Sequence, residues 1–386
     1  MKFTQCSEPT LGMETEWQLV GRDTLDLVSG VVPLIDHMAD AANVTSEYMQ
    51  SAVELNSPVC NNATELRHEV QALVRRVQQT ATDLDMRLLG AGTHPFSERL
   101  ADVTPSPRYR GIEKSSGYVS YEQLSFAAHV HIGMPSGDDA MRVICGLIPC
   151  LPALIAVSAN SPFYRGADTD FASYRLRVLA QGNRYVTPPY IHTWQRFCDA
   201  FSASQRAGIF KSIKDAHWHI RPQPDLGTIE VRIMDAQFTV TQAAMLAAFV
   251  RALAVSILRD EEPDIPATLP WWLEMENRYR ASQHGMNAQY IMNERGETGP
   301  LRELVAALIE KVFPVAESLG DAEEITMLQR RLDSELGYHV QREWYADSES
   351  LRDVVSAQCD ALEQDTDDDF IPRDRAAADR RQGSMY

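Results

Sequence analysis

Residues 11–20, LGMETEWQLV, alternate with a period of two. In an extended strand Glu14, Glu16 and Gln18 share one face, while Met13, Thr15, Trp17 and Leu19 share the other. The strand is predicted to end near Gly21. The alternation returns in AAHVHIGMP, residues 127–135, where Ala127, His129, His131 and Gly133 oppose Ala128, Val130 and Ile132. It returns again in GTIEVRIMD, residues 227–235, where Glu230, Arg232 and Met234 oppose Ile229, Val231 and Ile233. Elsewhere the spacing is helical. Leu66, Val70, Leu73, Val77 and Leu84 predict a helix from Thr64, running into a short apolar strand in MRLLGAGTHPF. Ser136 reads as an N-cap, with Asp138 and Asp139 in the first turn of a helix towards Ala159. An alanine-rich helix is expected from about Thr241 to Arg259, and residues 300–362 read as helical. DTLDLVSGVVPLIDHMADAA, after the first strand, has no clean period.

Three strands thus carry one apolar face and one face of ionisable groups. Helices between them have apolar stripes that need covering. An antiparallel sheet with helices packed on its apolar face, and an open polar face, satisfies both demands. The expected class is α+β, as a single domain over residues 1–364 with a helical C-terminal part. The charged end, residues 365–386, reads as a disordered tail. The polar faces could simply meet water. Solvent faces usually mix Lys, Thr, Ser and Glu, however, and these carry Glu14, Glu16, His129, His131, Glu230 and Arg232 with no lysine.

Composition narrows the classes. The 386 residues carry a formal net charge of −18, with a sequence pI near 5.0. That argues against nucleic acid as a partner, since such binding needs a basic surface. MKFTQCSEPT has no apolar h-region, and the longest apolar run, LIPCLPALIAV at 147–157, is short for a bilayer and holds Pro149 and Pro152. The six cysteines form no CxxC pair and read as reduced thiols of a cytoplasmic protein.

Clustered carboxylates repel unless a cation offsets them. Oxygen-rich sites with one or two imidazoles suit Mg²⁺ or Mn²⁺. Glu47 and Glu54, seven apart, would share one face of a helix and could add to such a site or form a surface stripe. No GxxxxGK[ST] loop is present and GAGTHPF lacks the full dinucleotide fingerprint, so a bound nucleotide would need metals and arginines for its phosphates. IKDAHWHIRPQPDLGTIEVRIMD, residues 213–235, packs Lys214, His217, His219, Arg221, Glu230, Arg232 and Asp235 into one strand-turn-strand segment. Arginine forks there could grip carboxylate or phosphate, or Arg221 could pair with Asp215 or Asp225. A zinc-dependent amidohydrolase is a competing reading of His129-x-His131 and His217-x-His219. A non-catalytic ligand-binding protein is a third.

LGMETEWQLV, AGTHPF, HVHIG, SANSPFYRGADTDFASYR and IKDAHWHIRPQPDLGTIEVRIMD, in this order, resemble the carboxylate–amine ligases of the glutamate–cysteine ligase type 2 family, within the glutamine synthetase-like superfamily. The resemblance spans roughly residues 8–360. It implies a curved antiparallel sheet with helices behind it and an open, funnel-shaped active site of the glutamine synthetase/guanido kinase kind. It implies ATP with Mg²⁺ or Mn²⁺, phosphoryl transfer to the side-chain carboxylate of glutamate, and attack by an amine such as that of cysteine on the acyl phosphate. By this similarity Glu14 and Glu16 each ligate a metal. Glu54, with Glu47, completes one site; His129 and Glu230 complete the other. Arg175 and Arg232 face the transferring phosphate and the substrate carboxylate. Lys214 and Arg221 match a motif on the nucleotide side, Arg221 also near the reacting groups, and His94 and His131 lie behind the ligands. The partners are small molecules, with self-association into a homo-oligomer left open. Relatives that join other carboxylates and amines make the substrate pair an open choice.

Overall fold

The computed structural model describes residues 1–99, 102–259, 266–333 and 335–367. In chain order its strands are β1 (Leu11–Gly21), β2 (Val44–Ser46), β3 (Ala52–Asn56), β4 (Met86–Leu89), β5 (Ala128–Gly133), β6 (Phe163–Tyr164), β7 (Ala167–Asp168), β8 (Ile220–Gln223), β9 (Thr228–Val231), β10 (Gln289–Ile291) and β11 (Thr298–Pro300). β6 with β7, and β10 with β11, are small separate hairpins. The other seven strands form one antiparallel, unclosed sheet in the order β2-β3-β1-β5-β9-β8, with β4 on β1. Gln18 pairs with Ala52 on one side and Leu89 on the other, so β4 continues the edge that β5 leaves.

The period of two in β1 becomes a division of labour. Leu11, Met13, Trp17 and Leu19 are buried in the main hydrophobic core, behind the sheet. Helices cover that face. Asn62 caps the first, Ala63–Asp83, by accepting the Glu65 N–H, and Leu66, Val70, Leu73 and Val77 form its buried stripe. The central helix, Val240–Leu258, is capped by Thr239 and buried around nearly its whole circumference, as its composition demands. Its one charge, Arg251, donates to the Pro9 carbonyl at 2.8 Å and to Asp321 at 3.0 Å. Asp321 also accepts the Ala63 N–H at 2.7 Å.

Ser136 caps its helix as expected, by accepting the Asp139 N–H, but the helix is broken. Pro149 lacks an N–H and crowds the preceding turn. Gly137–Leu147 therefore gives way to a 3-10 turn at Ile148–Cys150 and a second helix, Leu151–Ser158. Gly137–Ser158 and Val240–Leu258 are long and apolar enough to cross a bilayer, yet 89% and 94% of their apolar windows are buried inside the protein, so they serve as core. The stretch without a period after β1 holds a short helix, Val31–His37. The C-terminal part is four helices, Leu301–Leu319, Ala322–Arg331, Gly337–Ser348 and Leu351–Thr366. The last runs into the stretch expected to be disordered from 365, whose residues 368–386 lie outside the described ones. All six cysteines are free thiols.

Candidate active site

Strand register turns scattered acids into a row. Glu16 stands opposite Glu54 on β3, and Glu14 opposite His129 on β5. His131 stands opposite Glu230 on β9, which stands opposite Arg221 on β8. Directly paired residues hold their Cβ atoms about 4.5–5.5 Å apart, so side chains on the open face must meet. Of this row, Glu14, Glu16, Glu54, His129 and Arg221 line the floor of a cavity of about 640 Å³. The helix Pro107–Ser116 leans over it, contributing Arg108, Tyr109 and Ile112 to its lining, with no buried residue of its own. The Tyr109 hydroxyl ties that helix to the Ser46 carbonyl at 3.0 Å.

Among the described residues, two groups of donor atoms lie close enough to share an ion. Within each, the atoms are all within 4.8 Å of one another: Glu14, His131 and Glu230 in the first, Glu16, Glu47 and Glu54 in the second. His131 Nδ1 sits 3.0 Å from the Thr228 hydroxyl, which fixes its ring. Its buried Nε2 lies 3.2 Å from Glu14 without making a hydrogen bond. The surrounding carboxylate oxygens are fitting donors for Mg²⁺ or Mn²⁺, and the orphaned imidazole nitrogen adds one nitrogen donor to them. His129 stands between the groups, with Nδ1 3.1 Å from Glu14 and Nε2 3.8 Å from Glu16.

Sequence spacing had placed Glu47 and Glu54 on one helix. The structure corrects this. Glu54 is on β3, Glu47 is in the turn after β2, and strand pairing brings them together. Beside Glu14 and Glu230 stand both His131 and His129, whose Nδ1 lies 3.8 Å from Glu230.

The cations gather at the other end. Fully buried Glu230 accepts from Arg221 Nε at 2.7 Å, from Gln223 at 2.5 Å, and from Arg232. Arg175 is buried and donates to the carbonyls of Ile233 at 3.2 Å and Arg232 at 3.4 Å. Lys214, Arg184 and His217 line the same end, with the His217 ring 4.9 Å from that of Tyr185. His219 is tied instead to the Thr187 hydroxyl at 3.1 Å, and no ligand group among the described residues joins it to His129 or His131. The four histidines therefore form no common zinc site. His94 is buried behind the floor, its Nδ1 accepting the Ser97 N–H at 2.9 Å and its Nε2 3.0 Å from the Leu25 carbonyl.

The charges are unevenly satisfied. Burial pushes Glu16 up to about 7 despite Arg175 and Arg232. Burial, then repulsion from Glu54 and Glu16, pushes Glu47 well above the usual carboxylate range. Three acids that cannot all ionise beside one another are what a cation would relieve. Burial also opposes the charge on Glu230, but Arg232 and Arg221 hold it well below its ordinary value. Glu14 is held low against burial by its hydrogen bond with His129 and by the His131 imidazole beside it. Burial and Arg232 lower His129 to about 4, and burial with Arg232, Arg221, Arg184 and Arg108 lowers His217 to about 3.

The sequence had not singled out Arg108, Tyr109, Tyr185 or Gln223 as lining residues. Gln223 was recoverable, because it lies two residues beyond Arg221 on one strand. Arg108 and Tyr109 carry no local signal, since their helix has no apolar stripe.

Comparison with known proteins gives a consistent picture. Residues 10–360 match the model of glutamate-cysteine ligase family 2. "Putative glutamate--cysteine ligase 2" of Trichormus variabilis is 39% identical over 367 residues, covering 94% of this chain and 95% of that protein. The protein of the same name from Thermobifida fusca is 33% identical, covering 92% of each. Among solved structures, glutamate–cysteine ligase of Francisella tularensis in complex with AMP superposes with a TM-score of 0.65 at 13% identity, covering 99% of this chain and 93% of that one. A bifunctional glutathione synthetase from Pasteurella multocida gives 0.67 at 11% identity, over 94% of this chain and 53% of that one. At these identities the structural likeness speaks for the fold.

Proposed function

The chain belongs to glutamate–cysteine ligase family 2, and from that premise we propose that it is an ATP-dependent carboxylate–amine ligase. It joins the side-chain carboxylate of glutamate to an amine, that of cysteine in the first instance, through an acyl phosphate. One observation carries the reading: Glu14, Glu16, Glu47 and Glu54, drawn from two carboxylate-rich donor groups, line one cavity together with Arg175, Arg221 and Arg232.

The carboxylate oxygen of glutamate attacks the γ-phosphorus and ADP departs. The amine then attacks the acyl carbon, inorganic phosphate leaves, and the amine loses a proton. Neither step needs a protein nucleophile. Phosphoryl transfer rests on positioning and on neutralising charge at the equatorial oxygens. Glu14, His131 and Glu230, with Glu16, Glu47 and Glu54, would hold Mg²⁺ or Mn²⁺, which supplies part of that neutralisation. Arg232 and Arg175 would meet the transferring phosphoryl group and the substrate carboxylate. Lys214, Arg221 and Arg108 would hold the remaining phosphates at the basic end. Enclosure by the Pro107–Ser116 helix would keep water from the acyl phosphate.

A different acceptor is the second reading, favoured by Met49, Ile112, Val119, Phe126 and Leu179 in the wall, more apolar lining than a thiol side chain requires. ADP release across a panel of amino acids and amines, with and without Mg²⁺, tests both. Release that needs metal, glutamate and one amine class is expected. No release with any pair would end the ligase reading.

A further inference from the structure

Asp235 lies outside the cavity, yet three of the motifs read in the sequence converge on it. It is 1% exposed and bridges to Ala127 just ahead of β5. Its Oδ2 accepts the Asn160 N–H at 2.9 Å and the Ser161 hydroxyl at 2.7 Å; its Oδ1 accepts the Ser173 hydroxyl at 2.9 Å. These donors come from SANSPFYRGADTDFASYR. The glycines of GAGTHPF belong to the same device. A Cβ on Gly92 would stand 2.7 Å from the Asp235 carboxyl carbon, and one on Gly90 would stand 1.9 Å from the Gln237 carbonyl oxygen. Their lack of side chains lets the chain after β4 lie against the segment that carries Asp235.

The other end of this network is Arg175. Its backbone N–H donates to the Ser161 hydroxyl at 3.0 Å, and its Nη1 lies 4.0 Å from Asp235 Oδ1. The guanidinium also donates to the Ile233 and Arg232 carbonyls. A buried arginine keeps its place only where countercharge and acceptors surround it. Here one carboxylate fixes both the backbone that launches the side chain and the field in which its head rests. We propose that Asp235 is a positioning residue that holds Arg175 at the angle from which it meets substrate. The proposal rests on the ligase reading for what Arg175 meets, and on the geometry alone for how it is held.

The test is a double-mutant cycle of Asp235→Asn with Arg175→Gln. It is read as ADP release with Mg²⁺, glutamate and cysteine, and as calorimetric affinity for inorganic tripolyphosphate with Mg²⁺. Asp235→Asn alone should lower turnover about 10²-fold, the scale of losing one preorganised group. In the Arg175→Gln background it should lower turnover no further, within about twofold. Equal losses in both backgrounds would show that Asp235 serves the fold at large and overturn the proposal. Should Asp235→Asn not fold, Ser173→Ala removes one hydroxyl, keeps the charge and carries the same cycle. If the unmodified protein releases no ADP, the ligase reading fails and the cycle is judged on tripolyphosphate affinity. Arg175→Gln leaving that affinity unchanged would then overturn the positioning role as well.

Discussion

Two charge clusters lie on opposite sides of one sheet, one buried and one half-buried at the cavity, and they are built differently. Behind it, Arg251 and Asp321 are closed upon themselves. Arg251 also reaches the Pro9 carbonyl, and Asp321 also takes the Ala63 N–H. In front of it, Glu16, Glu47 and Glu54 bring their carboxylate oxygens within 4.8 Å of one another, and His131 Nε2 has no hydrogen bond. A structural pair is saturated by its own chain. A site that must take up and release charged ligands leaves capacity unspent, at the expense of local stability.

Breaking the front cluster should be read mainly in rate. Arg232→Ala is expected to lower turnover by about 10³–10⁵-fold, the range of a phosphoryl-stabilising arginine. Arg232→Lys should restore little of it, because the planar fork is lost. Glu230→Gln should raise the Mg²⁺ requirement in the same steady-state titration. Wild-type rates in these variants would remove the row from the reaction.

Breaking the rear cluster should be read in stability. Arg251→Ala leaves Asp321 buried and unpaired, and should cost about 3–5 kcal/mol in denaturant unfolding. Turnover per folded molecule should stay unchanged. A shift below about 1 kcal/mol would place this pair with weak surface pairs.

His94 sharpens the contrast by pH. Burial lowers it to about 4 from the ordinary 6.5. Its folded pKa is therefore the depressed one, and the unfolded chain binds more protons between these values. The contribution is full above pH 6.5 and is lost as pH falls towards 4, about 3 kcal/mol in all. Melting curves of the native chain and of His94→Gln between these limits should diverge in slope, the variant being flatter. Parallel curves would mean that the ring is protonated in the fold.

The smallest effect has the opposite sign. Glu47→Gln relieves repulsion and should raise stability in chelator by about 1–2 kcal/mol, while weakening Mn²⁺ binding in calorimetry. Loss of stability would show that Glu47 is held by contacts other than those to its fellow acids.

The faces of β1, β5 and β9 were legible because a period of two is a local property. Their pairing was not. That Glu14 meets His129, and Glu16 meets Glu54, depends on register between strands far apart in sequence. Glu47 and Glu54 were misread for a related reason: a spacing of seven fits two helical turns and also a strand with the segment that leads back into it. The helix after Ser136 was found by its cap but overextended, although Pro149 stood in the sequence as a stop. Asp235 was visible within a charged segment, but its role depends on Ser161 and Ser173, which the fold alone delivers.

The register of β1 has a consequence for how this chain can change. Alternation permits generous exchange at Met13 or Leu19, where any apolar group of similar volume will pack. It permits no change in length. One residue inserted between Gly12 and Gln18 would send the remaining acids into the core and turn Trp17 towards the substrate. Length changes in surface loops are thermodynamically far cheaper, so the spacing of METEWQ acts as a unit of measure.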